Sequence, residues 1–429
     1  MSRLRATAGL AAANLTGSLI GMAANFYVLA QTGPQILAQV GLATAGCGIA
    51  LNLLDVRLAD ACSRRLVAAG DDRAERADII RIAVRGGLLG GGLGLLLSLT
   101  AAAAAVQFLD QPPAWWAVAA VCLAESLRFA VAPGVQLQRY SKRPFALMAA
   151  GQLAGQLVGG LTLVAAITVS PNAGGWALGL LAAACASSAI DWAMCRRLWL
   201  RHDRLDLDRP APALLPALHR DARFLAAGGL MGFGKLLHRG GDLLLVGWWC
   251  DDRTTGLYRF ARSLTDAGYI LFDALNKALQ ADLQRLVQEG RRAAFLRWAR
   301  RLAIAGWGGA AVAAVAAWLG AGPLIDLVFA GRYAGSETAI ALLLLAYGGV
   351  FGCALWTWPA LVASGAIAGF GVAYMVATLA LQYAAPSLWL WLVGGAPLTP
   401  LAAGHAAVFL ASYLIAARLA LRSLPAEAK

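Results

Sequence analysis

Residues 257–283 read LYRFARSLTDAGYILFDALNKALQADL, a run apolar enough to cross a bilayer and yet striped with charge. Arg259, Arg262, Asp266, Asp273 and Lys277 recur along it. At roughly 100° per residue these five fall within an arc of about 60° on one helix face. The stripe is about 27 Å long at the α-helical rise, close to the thickness of a hydrocarbon core. A charge at the centre of a spanning helix costs about 2.5–3.5 kcal/mol on insertion scales, so it is kept from lipid. A charged face of this length predicts a polar passage through a membrane.

The rest of the chain agrees. Of its 429 residues, 60% are hydrophobic and 14% charged, and the mean hydropathy is +0.65. Soluble domains run near about 45–50% apolar and about 25% charged, so the composition predicts an all-α polytopic membrane protein. Apolar runs of about 20 residues mark twelve spans. The first six lie near 8–31, 35–56, 83–108, 114–135, 145–169 and 174–195. The others lie near 224–249, 256–281, 302–329, 337–362, 366–392 and 399–420.

Seven arginines in 57–85, seven in 196–223 and six in 285–301 fall on one side of that topology. Arg3, Arg5, Arg139, Lys142, Arg143, Arg418, Arg422 and Lys429 join them, while Arg253 and Arg332 fall on the other side. The positive-inside rule then places both termini in the cytoplasm. The formal charge of +13 belongs to these loops and does not point to nucleic acid. Trp115, Trp116, Trp176, Trp248, Trp249, Trp389 and Trp391 sit at the outer ends, as an aromatic belt would. The segment after Arg5 stays apolar to about Ala30, long enough to span and remain.

Two six-helix lobes around a central cavity follow from the span count, residues 1–200 and 223–429, with the arginine- and proline-rich stretch 201–222 as a cytoplasmic linker. Residues 35–70 and 255–290 align without gaps, matching Leu37 with Leu257, Arg65 with Arg285, Val67 with Val287 and Gly70 with Gly290. Leucine-rich segments give this many identities by chance, so the echo alone decides little. The cysteines and histidines (His202, His219, His238, His405) are dispersed and indicate neither a disulfide framework nor a metal site.

Span 7 carries a second charged face, with Lys235, His238, Arg239 and Asp242 inside an arc of about 100°. Lys235, Arg239, Arg259 and Arg262 against Asp242 and Asp266 leave a local surplus of positive charge suited to phosphate oxygens. The same residues also fit internal pairs: Arg262 with Asp266, Asp273 with Lys277, Arg239 with Asp242. In span 1, Thr7, Asn14, Ser18, Gly21 and Asn25 form an uncharged polar stripe, suited to sugar hydroxyls or to close helix packing. Glu125 and Arg128 are spaced to pair, whether or not they also reach a cavity. The span 3 glycines Gly86, Gly87, Gly90, Gly91, Gly92 and Gly94 predict close packing or flexing. Gly320-Ala321-Gly322-Pro323 predicts a break in span 9.

The runs Gly241-Asp242-Leu243-Leu244-Leu245-Val246-Gly247 and Gly256-Leu257-Tyr258-Arg259-Phe260-Ala261-Arg262-Ser263 resemble the span 7–8 region of polysaccharide flippases. Pro323-Leu324-Ile325-Asp326-Leu327-Val328-Phe329-Ala330-Gly331-Arg332-Tyr333 is similar to the same family's span 9 end. These are the O-antigen and exopolysaccharide transporters of the multidrug/oligosaccharidyl-lipid/polysaccharide exporter superfamily. One departure is Leu279-Gln280-Ala281-Asp282, where family members often carry a proline.

The resemblance implies a monomeric inner-membrane flippase for undecaprenyl-pyrophosphate-linked oligosaccharide, serving lipopolysaccharide or exopolysaccharide assembly beside other assembly proteins. Lys235, Arg239, Arg259 and Arg262 would face the pyrophosphate. Asn14, Asn25, Arg128, Asp242, Asp266, Asp273 and Lys277 would line the cavity or couple transport. No cofactor is expected beyond a coupling H⁺ or Na⁺. The rival is a cation-coupled multidrug exporter, which would favour acidic cavity residues that span 1 lacks. An enzyme is disfavoured, since Asp251-Asp252 in a short loop is the one surface acidic motif.

Overall fold

Asp72 shows how the sequence starts its long helices. Its backbone is extended, and its carboxylate accepts hydrogen bonds from the N–H groups of Ala74 and Glu75 at the head of the helix Arg73–Val106. Two of the four donors that a helix leaves orphaned are thereby satisfied. Asn172 does the same for Ala173–Arg197 by accepting from Gly175 N–H. The apolar runs that follow have no water to bond, so their backbone groups pair within the helix.

The structure is a computed structural model that describes residues 2–55, 58–138, 145–206, 212–214, 240–265, 289–364, 367–394 and 397–424, with isolated residues within 216–225 and 279–287. In chain order the helices are α1 (Ser2–Gln31), α2 (Pro34–Leu54), α3 (Leu58–Ala68), α4 (Arg73–Val106), α5 (Trp115–Leu137), α6 (Phe145–Val169) and α7 (Ala173–Arg197). A π-helical turn, Leu198–His202, extends α7. There follow α8 (Gly241–Trp249), α9 (252–265), α10 (Arg292–Phe329) and α11 (Glu337–Gly349). The π-helical turn Val350–Ala354 joins α11 to α12 (Leu355–Ser364). The last are α13 (Ile367–Ala377), α14 (Ala385–Val393), with the π-helical turn Thr378–Ala384 between them, and α15 (Leu398–Ser423).

Among the described residues, eight helices are long and apolar enough to cross a membrane. α1 and α6 have the length to do so, with 30 and 25 residues. The expected spans are described over nearly their whole lengths except the seventh and eighth, which are described at 240–249 and 252–265. The chain is an all-helical, multi-span membrane protein. Its surface fits that solvent: Leu96 is 64% exposed and Val312 71%, well inside long helices whose apolar faces water would not favour. Trp115, Trp116, Trp248, Trp389 and Trp391 are exposed as belt residues should be, whereas Trp176 is buried.

The chain divides into two compact units, Met1–Thr32 with Gln39–Leu236 and Gly33–Ala38 with Leu237–Lys429. In the first, the amphipathic α3 lays Cys62 and Leu66 against Ile79, Leu137, Leu198 and Trp199. α4 and α5 approach closely. A methyl at Gly87 would overlap the Ala130 carbonyl oxygen, and one at Gly91 would lie 2.5 Å from Ala130 Cβ. The span 3 glycines at these positions serve packing. Gly21 in the span 1 stripe also sits against another helix, where a methyl would lie 3.1 Å from Gln156 Oε1 of α6. Cys47 and Cys122, unrelated by spacing, meet between α2 and α5 with sulfurs 3.2 Å apart.

In the second unit, Phe295, Trp356, Leu361 and Ala416 form a buried cluster, with the Phe295 and Trp356 rings edge-on at 6.3 Å. The expected break in span 9 is absent. α10 runs unbroken for 38 residues with Pro323 inside it. One lost donor near a helix end is tolerated when the flanking turns remain bonded. The helix stops beyond Phe329, where Ala330 and Gly331 turn left-handed (φ 51° and 69°).

Gly70 and Gly290, paired in the sequence echo, are both left-handed, with φ of 54° and 67°. Each precedes the long helix of its own half, α4 and α10. Such a φ is one that glycine adopts without a Cβ penalty. Among the described residues, the echo is therefore matched by a left-handed glycine shortly before a long helix in each half.

Candidate functional site

The only acid that α8 carries is Asp242, in its first turn, where the helix dipole favours a carboxylate. α9 begins after Asp251, whose side chain accepts from Thr254 N–H at 2.8 Å. Asp251, the surface acidic candidate, is thus occupied as a cap. The rotation of α9 is set by Phe260, fully buried and stacked on Tyr333 with ring centroids 4.1 Å apart. Phe329 meets the Phe260 ring edge-on at 5.0 Å. With Phe260 turned to the end of α10, Tyr258 and Arg262, four residues apart, share the roughly opposite face.

That face meets Asp242 and His405 of α15. The Tyr258 hydroxyl donates to Asp242 Oδ2 at 2.9 Å, and Arg262 Nε lies 3.2 Å from the same oxygen. His405 Nδ1 approaches it at 3.3 Å, and Arg262 Nη1 lies 2.6 Å from His405 Nε2. Arginine only donates, so Nε2 is the acceptor and the imidazole carries its proton on Nδ1, toward the carboxylate. All four residues are buried, His405 and Tyr258 completely. A methyl at Gly241 would overlap the Tyr383 hydroxyl, so glycine there lets the π-helical turn of span 11 close over Asp242.

The result is a closed polar knot tying α8, α9 and α15. Taking two opposite charges out of solvent is costly, and here their attraction is supplemented by the Tyr258 hydroxyl donating to the carboxylate and by Arg262 donating to His405. Arg262, expected to face a ligand or to pair with Asp266, pairs with Asp242 and His405 among the described residues, and Asp266 lies outside them. Tyr258, His405 and Tyr383 are partners that the sequence does not single out. A lone ionisable residue deep in an apolar span is the available signal for His405.

Arg259, on the neighbouring face of α9, is half-buried and makes no ion pair among the described residues. Arg128 and Glu125 pair at 2.8 Å, both partly exposed. Asn25 is exposed on α1. Lys235, Arg239, Asp266, Asp273, Lys277 and the side chain of Asn14 lie outside the described residues. Among the described residues, no cluster of His, Cys, Asp and Glu could hold a metal ion.

No protein-family model matches the sequence, and no curated protein matches it. Solved structures do. A multidrug resistance MATE family transporter of the MOP superfamily, in an inward-facing conformation, superimposes with a TM-score of 0.70 at 13% identity, over 96% of this chain and 98% of that one. The lipid II flippase MurJ in an inward closed conformation does so with a TM-score of 0.63 at 10% identity, over 97% and 90%. A MOP superfamily transporter from Pyrococcus furiosus, described as having a binding pocket of reverse polarity, gives 0.62 at 14%, over 97% and 94%. These structures are of two transporters and a flippase, and this chain shares their fold over nearly its whole length.

Proposed function

We propose that the chain is a flippase for undecaprenyl-pyrophosphate-linked oligosaccharide in the bacterial inner membrane, with both termini cytoplasmic and lobes 1–200 and 223–429 joined by the linker 201–222. The observation that carries this reading is the whole-length fold shared with a lipid II flippase, whose substrate is lipid-linked. Arg259 supports it as a guanidinium on the charged face of span 8 with no ion pair among the described residues, able to bind pyrophosphate oxygens. Lys235 and Arg239 are the further cations that the sequence offers to the same headgroup. Arg262 acts in this scheme through the knot, by holding the helices that present Arg259.

Deletion of the gene in its own cell, followed by extraction of lipid-linked oligosaccharide, tests the reading. Loss of surface polymer with accumulation of undecaprenyl-linked units supports it, and unchanged polymer and intermediates refute it. A second reading, a cation-coupled multidrug exporter, is favoured by the MATE likeness and by the buried carboxylate of Asp242. In that case deletion leaves the polymer intact and sensitises the cell to organic cations.

A further inference from the structure

At the C-terminal end of α7, within the first unit, the chain builds a cavity of about 480 Å³ lined by Trp192, Ala193, Arg196, Arg197, Leu200 and Arg201. These positions repeat at the spacing of one helix face, which the π-helical turn Leu198–His202 widens. None of the three arginines forms an ion pair among the described residues. The nearby carboxylate of Asp203 is engaged elsewhere, 3.8 Å from Arg76 and buried with it. Asp191 is half-buried one position before Trp192, and Asp206 is exposed beyond the turn.

The apolar wall is held in place. Trp192 is 41% exposed and stands edge-on to the fully buried Trp199, with centroids 6.2 Å apart, and Leu200 is also exposed. Arginines in the last turn of a helix answer its dipole, which accounts for one charge at the axis but not for three around a cavity. A solvated loop would not place tryptophan and leucine beside them. Guanidinium groups beside an aromatic ring, at the end of a spanning helix, match a phosphate whose own lipid chain lies in the adjacent bilayer.

We infer that Trp192, Arg196, Arg197, Leu200 and Arg201 form a binding site for the phosphate headgroup of an anionic membrane lipid. The site goes beyond the flippase reading, because it stands whichever solute the chain carries. Two sources share the chemistry, a bulk anionic phospholipid and the polyprenyl pyrophosphate carrier.

Native mass spectrometry of the purified full-length protein, titrated separately with cardiolipin, undecaprenyl pyrophosphate and phosphatidylcholine, tests the inference. The comparison protein is Arg196→Gln/Arg197→Gln/Arg201→Gln. A charge-matched control, Arg297→Gln/Arg300→Gln/Arg301→Gln, is altered in the other unit. The expected result is a loss of about tenfold or more in the affinity of at least one anionic lipid for the α7 variant alone, with phosphatidylcholine unaffected. Preference for undecaprenyl pyrophosphate would mark the site as a stop for the carrier, and preference for cardiolipin as a seat for resident lipid. Equal affinities in the α7 variant and the wild type, or an equal loss in the control, would overturn the inference. Elution of each protein as a single species establishes that lost binding is not lost folding.

Discussion

Asp242 is approached through one oxygen by a phenol, a guanidinium and an imidazole, and its value depends on all three. Asp242→Ala leaves Arg262 buried without its charge partner. It is expected to destabilise the protein by about 3–5 kcal/mol, read as a fall in the thermal midpoint in detergent. The double variant Asp242→Leu/Arg262→Met removes both charges at similar volume and recovers most of that loss. A single variant as stable as the double would show that the charges are not coupled. His405→Phe removes the acceptor for Arg262 and costs about 1–3 kcal/mol by the same measurement. Arg259→Gln, in contrast, leaves stability within about 0.5 kcal/mol, because Arg259 has no ion pair to lose among the described residues and its surroundings are half open. At this scale the sequence is half legible. Periodicity puts Asp242 and Arg262 on polar faces, but pairing rules confined to one helix give Arg262 to Asp266. The long-range partner, His405, lies 143 residues away, marked in the sequence as an ionisable residue inside an apolar span but with nothing to say which charge it meets.

Helix boundaries are the most legible feature, because an apolar run with a cap leaves little choice of structure. The break expected in span 9 is the exception. Composition sees a proline and two glycines in Gly320-Ala321-Gly322-Pro323, whereas the backbone responds to whether neighbouring turns stay bonded. Pro323→Ala is therefore expected to leave helix content unchanged by circular dichroism and to hold or raise the thermal midpoint. A fall of several degrees would mean that the proline serves a bend. The glycine turns are legible the other way round, as identities too few to argue from until both prove left-handed. Gly290→Ala is expected to cost about 1 kcal/mol in stability for that reason.

At the scale of the whole molecule, charge and hydropathy suffice for the all-helical, multi-span fold. The substrate is not so readable, since one fold hosts several kinds of transport and function lives in the side chains. Within the charged stripe of span 8, Arg262 pairs with Asp242 and His405, whereas Arg259 has no ion pair among the described residues. The central claim is that this chain moves a lipid-linked pyrophosphate. Reconstitution into liposomes containing labelled undecaprenyl-pyrophosphate oligosaccharide measures it directly, through loss of label to an enzyme that reaches one leaflet only. The expected result is translocation well above protein-free liposomes and its loss in Arg259→Gln at unchanged stability. Translocation no faster than in protein-free liposomes, together with proton-driven export of an organic cation by the same protein, would contradict it.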